Sequence, residues 1–268
     1  MHFLTTLNKF IKWILYQFKL ELVSTNLTAK SDDPFAVLSK IFIGFDVKVI
    51  VDGGASIGST SIRFSKVFPR SIVHSFEPYP KFFRFLMECH KINKHVKPYP
   101  YALSDCDGIS RLSINKNEGT NSLLKSDETK DHPHNDLFYS LKTIKIVTKK
   151  LDDVFKDEAI DILKLDLQGG ELNALKGATN LLAEKRIKSI LCEVMFETTY
   201  MEQCKGTELI SYIVNQGFYI FNFYQTHFHH GQIYQTDILF IHNTLKETIS
   251  QNSKHFFMPF SKYLLSIR

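Results

Sequence analysis

Seven consecutive residues, Asp52-Gly53-Gly54-Ala55-Ser56-Ile57-Gly58, have the make-up of a ligand cradle. A β-branched run over 47–51 leads into the acid, and a helix-like segment over 59–67 follows the last glycine. A strand, a tight glycine-rich turn and a helix N-terminus in that order turn backbone N–H groups toward a nucleotide-like ligand. Gly54 and Gly58 let the backbone approach that ligand, and Gly53 relieves strain in the turn. The acid speaks to the ligand's charge. A carboxylate at the strand end repels a dinucleotide pyrophosphate but attracts S-adenosylmethionine, which carries an ammonium and a sulfonium. Asp52 therefore tilts the reading toward a methyl donor.

The loop itself fits two frames. As D-x-G-x-x-x-G it matches a methyltransferase first motif; as G-x-A-x-x-G it is a degenerate nicotinamide fingerprint. Glu77 lies nineteen residues past Gly58, at the end of the next expected strand. An acid there can accept hydrogen bonds from both ribose hydroxyls, which supports a nucleoside without choosing between the frames. Ser104-Asp105 closes a third expected strand, where Asp105 could accept from an adenine amine or simply help a turn with Asp107-Gly108. Asp166, Glu171 and Glu193 are the acids that chain order brings to the rim of the crevice. An aliphatic hydroxyl is a poor nucleophile, so methyl transfer to it benefits from a base, and any of the three could serve. Competing roles are an N-cap for Asp166 and a first-turn dipole partner for Glu171.

The elements that must position these residues alternate between strand and helix. Strands are expected at 47–51, 71–76, 96–103, 160–165 and 187–194, with helices at 34–42, 80–93, 171–183 and 207–215. Asp33-Pro34 is a good helix start and Gly44 a stop. Two further strands are expected at 111–114 and 143–148, separated by a long polar loop over 115–142 that includes His132 and His134. Residues 218–224 and 237–242 read as strands too close in sequence to be parallel, so they form an antiparallel pair. The expected fold is α/β: a doubly wound, mostly parallel seven-stranded sheet ending in an antiparallel hairpin, with an N-terminal helical extension. The divisions are 1–45 for the extension, 46–244 for the domain and 245–268 for the tail.

Composition sets bounds on function. With 268 residues, 44% of them apolar, the chain can build a full core. The net charge of +5 is scattered, with no clustered basic face, so no nucleic-acid partner is expected. Cys89, Cys106, Cys192 and Cys204 form no close pair or zinc spacing and read as reduced thiols of a cytoplasmic protein. His227, His229 and His230 are expected in a wet hairpin loop, and no metal site is expected. Near the N-terminus, apolar residues from Phe3 to Leu22 recur at helical spacing, interrupted by Lys9, Lys12 and Lys19. Neither a signal peptide nor a spanning helix is expected here. Such a helix packs on the domain or on a second copy in a homodimer, or lies on a membrane with Trp13 and Tyr16 at the headgroups, giving a peripheral membrane association.

Three ordered blocks resemble the FkbM-type methyltransferases, which are class I and Rossmann-like: 51–58 from Val51 to Gly58, Phe76-Glu-Pro-Tyr-Pro80, and 163–178 from Leu163 to Ala178. Ala102-Leu-Ser-Asp105, Leu151-Asp-Asp153 and Leu191-Cys-Glu-Val194 are weaker supports in the same order. The resemblance implies an S-adenosylmethionine-dependent O-methyltransferase acting on a hydroxyl of a sugar, glycan or polyketide-like acceptor. It implies that Asp52, Gly54 and Gly58 hold the methionine end, Glu77 the ribose and Asp105 the adenine region. Ser56 stands where the family often has Asn. Gln168 stands where Glu is common, which throws more weight on Asp166 and Glu171. Two other readings remain in play: a nicotinamide-dependent oxidoreductase, which Asp52 and the closing hairpin disfavour, and a non-catalytic S-adenosylmethionine-binding module.

Overall fold

A computed structural model describes residues 33–127, 129 and 138–250. Helix α1 (Pro34–Ile41) starts where Asp33 accepts a hydrogen bond from the Phe35 N–H at 3.1 Å, with Pro34 at the first helical position. Then follow β1 (Val49–Gly53), α2 (Ser59–Val67), β2 (Ile72–Phe76), α3 (Pro80–Ile92) and β3 (Val96–Tyr99). The chain next forms β4 (Tyr101–Leu103), β5 (Gly108–Asn115) and β6 (Ser140–Lys149). It continues as α4 (Leu151–Val154), β7 (Ile162–Leu165), α5 (Glu171–Lys176), α6 (Thr179–Ala183) and β8 (Ser189–Met195). Helix α7 (Gly206–Asn215) and the strands β9 (Phe218–His229) and β10 (Gln232–His242) complete the described order, apart from short helical turns.

Seven strands form one sheet in the order β3-β2-β1-β7-β8-β10-β9. Strands β1, β2, β3, β7 and β8 pair in parallel, and β10 runs antiparallel to both its neighbours. Alternate residues feed the two faces, as period-two side chains require. Val49, Val51, Leu163 and Leu165 pack with Leu175, Leu181 and Leu209 on one face. Ile50 and Ile162 pack with Phe35, Leu38 and Phe64 on the other. Helix α1 thus belongs to the domain's core, although 1–45 was expected to be an extension. The chain runs outward from β1 to β2 and β3, then returns to place β7 on the other side of β1. The carboxyl ends of β1 and β7 therefore flank a topological switch point, where open α/β sheets bind ligands.

The structure corrects four local expectations. The span 96–103 is two strands, not one, because Pro100 has no N–H to continue a ladder. Strand β3 stays in the main sheet, while β4 joins β5 and β6 in a separate three-stranded sheet of order β4-β6-β5. The span 171–183 is two helices: Gly177 lies so close to the strand-end residue Ser104 that an added Cβ would stand 2.0 Å from its carbonyl oxygen. The polar 115–142 span is not one long loop, since β5 reaches Asn115, Glu118–Thr120 forms a helical turn and Ser122 bridges back to Ser113. Finally, β9 and β10 run almost to a tight turn at His230-Gly231, so His227 and His229 are strand residues. The N-terminal helix with Trp13 and Tyr16, His132, His134 and the tail beyond 250 lie outside the described residues. Among the described residues no helix is long and apolar enough to cross a membrane.

Candidate active site

A cleft of about 230 Å³ opens at the carboxyl ends of β1, β2 and β7. Gly54 and Ser56 line it from the cradle, Glu77 from the exit of β2, and Asp166 and Gln168 from the exit of β7. Phe76, Leu103 and Leu112 give it an apolar wall, and Glu118, Gly119, Asn121, Ser122 and Leu123 form a roof.

The cradle is built by close backbone approach. Gly54 and Ala55 both donate backbone hydrogen bonds to the Phe76 carbonyl, at 3.1 and 3.0 Å. A Cβ on Gly54, whose φ is +72°, would stand 1.9 Å from the Asp166 carbonyl oxygen. That position therefore admits only glycine, both for conformation and for space. Ser56 also adopts a positive φ of 50°, which aims its N–H at Glu77 Oε2, 2.8 Å away. Glu77 Oε1 accepts from the Tyr79 N–H at 2.8 Å. Each carboxylate oxygen keeps a second lone pair for a ligand hydroxyl. Burial pushes Glu77 up to about 7, against the pull of those two N–H groups.

Asp52 does not line the cleft. Its carboxylate is fully buried, accepts from Ser61 Oγ at 2.6 Å and faces Lys164 Nζ at 3.5 Å. Its charge complement lies inside the protein, so it supports the cradle from behind. Gly53 is wedged between Leu103 and Leu165, Ala55 packs on Leu86 and Val96, and Gly58 sits against Cys89 and Leu86. These three shape the loop without lining the cleft. Ser104 is buried behind the end of β4 and Asp105 is exposed, both away from the cleft.

Of the three acids expected at the acceptor side, only Asp166 opens onto the cleft; its side chain is 40% exposed. Glu171 is buried, and its Oε1 accepts from the Leu167 and Gly169 N–H groups at 2.7 and 3.3 Å. It ties down the turn between β7 and α5. Glu193 is buried on β8, with Oε2 accepting from Gln168 Nε2 at 3.0 Å and Oε1 accepting from Gln235 Nε2. Burial pushes Glu193 well above the usual carboxylate range, and the charges of Asp166 and Glu171 push it further. Asp237, the cross-strand neighbour of Glu193, is raised to about 6 by burial and by Asp166.

Two residues organise this acid cluster. Lys164 Nζ lies 3.3 Å from Asp166 Oδ2, as well as near Asp52. Burial alone would lower its pKa, but Asp166, Asp52 and Glu193 together hold it raised and charged. Gln168, at a left-handed φ of 53°, donates from Nε2 to Asp166 Oδ1 at 2.9 Å as well as to Glu193. Its Oε1 accepts from the Tyr200 hydroxyl at 3.0 Å. The sequence holds one signal for Lys164: a charge interrupting an otherwise apolar parallel strand. Nothing in the sequence marks Tyr200 or Gln235. Among the described residues no group of three or more His, Cys, Asp or Glu side chains could hold a metal ion.

The arrangement presents a cleft beside the Asp166 carboxylate, whose two oxygens are each pinned. The sequence matches the Methyltransferase FkbM domain over residues 52–220. It is 26% identical over 147 residues to Methyltransferase 1 of Beauveria bassiana (strain ARSEF 2860), covering 49% of this chain and 59% of that protein. It is 28% identical over 153 residues to Methyltransferase sdnD of Sordaria araneosa, covering 48% and 59%. The chain thus spans less than two thirds of the length of these curated relatives. Among solved structures, it resembles an rRNA methylase from Streptococcus thermophilus with a TM-score of 0.46 at 10% identity, covering 80% of this chain and 99% of that one. It resembles Aeropyrum pernix fibrillarin in complex with S-adenosyl-L-methionine with a TM-score of 0.43 at 12% identity, covering 73% and 66%.

Proposed function

The chain belongs to the Methyltransferase FkbM domain family, and on that premise we propose that it transfers the methyl group of S-adenosylmethionine to a hydroxyl oxygen of a small-molecule or glycan acceptor. The observation that carries this reading is the convergence of Gly54, Ser56, Glu77 and Asp166 on one cleft.

The residues present fit the cofactor. Gly54 leaves no side chain between the backbone and the ligand, Glu77 keeps free lone pairs for two ribose hydroxyls, and Phe76, Leu103 and Leu112 offer an apolar surface to a base. When bound, the cofactor supplies an electrophilic methyl on a sulfonium. The chain's own residues hold and orient. Asp166 accepts a hydrogen bond from the acceptor hydroxyl, aligns its oxygen and takes up the proton that the hydroxyl loses as it is methylated. Lys164 and Gln168 keep the Asp166 carboxylate from rotating. Most of the rate gain then comes from orientation of two bound reactants.

Titration calorimetry with S-adenosylmethionine and, separately, with NAD tests the cofactor. Binding of NAD without S-adenosylmethionine would sink the proposal. Labelled-donor assays against sugar nucleotides, glycolipids and small hydroxylated compounds test the acceptor class, with transfer to a nitrogen alone overturning the hydroxyl assignment. Asp166→Asn should abolish turnover while sparing cofactor affinity; unchanged turnover removes Asp166 from its role.

A further inference from the structure

We propose that the β9 edge of the main sheet is a two-fold interface that docks a second copy of this chain.

Strand β9 ends the sheet, with β10 on one side and no described strand on the other. A bare edge offers its outer N–H and C=O groups to any other strand, so exposed edges are guarded by Lys, other charges or Pro. Strand β9 has no such guard: Phe218–His229 reads Phe-Tyr-Ile-Phe-Asn-Phe-Tyr-Gln-Thr-His-Phe-His. The gap in charge is wider than the strand. Residues 209–236, from α7 through the hairpin, contain no Lys, Arg, Asp or Glu, in a chain where these make up 23%.

This stretch is nonetheless exposed. Phe223 and Phe228 on β9 are 51% and 64% exposed, and Ile220 and Phe221 are exposed beside them. Ile233, the cross-strand partner of Phe228, is exposed, as is Val214 near the end of α7. Ile220 and Phe223 pair in register with Phe240 and Ile238, which pack with Leu209 and Ile213 of α7. Paired residues share a face, so the two side chains carry the apolar surface under α7 out to the sheet edge.

Charge decides what covers that surface. An anionic membrane or a nucleic acid is held by Lys and Arg, and 209–236 has neither. A strongly charged protein partner finds no complement there either. Across a two-fold axis each patch meets itself, and a permanent charge near the axis would meet its like. Aromatic and aliphatic side chains without permanent charge are the composition that suits such a self-contact. The 12 residues of β9 run about 40 Å, so a strip about 20 Å wide along them reaches the roughly 800 Å² per partner of a stable interface. Three register shifts against β10 bend the hairpin. They spoil the edge as a template for endless strand addition, so the contact closes at two copies through side chains.

Sedimentation equilibrium of the full chain provides the test. The native chain should sediment at twice the 31.0 kDa of one copy. Phe223→Lys and, separately, Phe228→Lys should each raise the dissociation constant of the dimer about a hundredfold, with an unchanged circular dichroism spectrum. Ile92→Lys, at an exposed site on α3, should leave the dimer intact. Amide exchange gives a reading without substitution. Over 218–229 it should slow about tenfold from dilute to concentrated native protein, while 49–53 stays unchanged. A native chain that stays monomeric overturns the proposal, whether a different partner or the chain's own residues 1–32 cover the patch. A dimer that survives both β9 substitutions, or that Ile92→Lys breaks as well, also overturns it, because the contact then lies elsewhere. Exchange over 218–229 that ignores concentration does the same.

Discussion

Lys164 holds its ammonium 3.5 Å from the fully buried carboxylate of Asp52. The contact joins β7 to β1 at the switch point and sets a fixed positive charge behind the cradle. Removing one member of a buried ion pair leaves the other uncompensated. Lys164→Met should therefore lower the unfolding free energy by about 3 kcal/mol. The Asp52→Asn, Lys164→Met double variant should recover part of that loss. Urea unfolding of the native chain and the two variants measures both; an unchanged midpoint for Lys164→Met would show the pair to be idle.

Gln168→Glu puts a carboxylate between Asp166 and Glu193, where an amide now donates to both. Two hydrogen bonds become like-charge contacts, while the Tyr200 hydroxyl can still donate. We expect a loss of about 1–3 kcal/mol that grows with pH, as the added acid is forced to ionise. Thermal melts of native and variant chains at several pH values read this directly. A pH-independent difference would mean that the new acid never ionises there.

Glu77, raised to about 7, makes cofactor affinity depend on pH. Only its ionised form offers acceptors on both oxygens to two ribose hydroxyls. Below about 7, binding must first release a proton, so affinity should rise up to tenfold per pH unit toward 7 and level off above it. The same group has the opposite effect on the unliganded fold. Its folded pKa lies above the unfolded value, so its stabilising contribution is full below the unfolded value and is lost as pH rises through about 7. Calorimetry with S-adenosylhomocysteine across this range, in buffers of differing ionisation heat, would expose the proton release. A flat affinity profile would remove Glu77 from the ribose.

Gly54→Ala and Gly44→Ala separate steric clash from backbone strain. Both positions have left-handed φ, +72° and +81°, but a Cβ at Gly44 meets nothing within 4 Å whereas one at Gly54 stands 1.9 Å from the Asp166 carbonyl oxygen. Gly44→Ala should cost about 1 kcal/mol. Gly54→Ala should cost at least about 3 kcal/mol and abolish cofactor binding. Equal melting temperatures for the two variants would refute the close approach.

The cradle, Glu77 and Asp166 were readable because they follow strands whose apolar runs stop abruptly at an acid. Such a stop marks a strand's carboxyl end, and the parallel fold gathers those ends on one rim. The orientation of Asp52 was not readable, since a strand-end acid can point outward or turn inward, and the buried Lys164 decides between these. Glu193 lies on the right strand but is closed off by Gln168 and Gln235, residues 25 and 42 positions away from it in the chain. Single-sequence patterning carries no such pairing. The roof was missed because short turns held by Asn, Ser and Thr side chains have no periodicity. The polar and aromatic residues from Gln225 to His229 look like loop, yet cross-strand pairing with β10 carries them as strand.

Pro100 passes the chain from one sheet to another, and the consequence is modular. Strand β4, by which the chain enters the small sheet, lies directly beside β6, by which it leaves; Leu103 is paired with Lys149. Entry and exit are thus a single doorway, and the cleft's roof hangs from the span between them. The span from Tyr101 to Lys149 is a cassette that could be exchanged through that doorway, giving the same cradle a different ceiling and admitting a different guest.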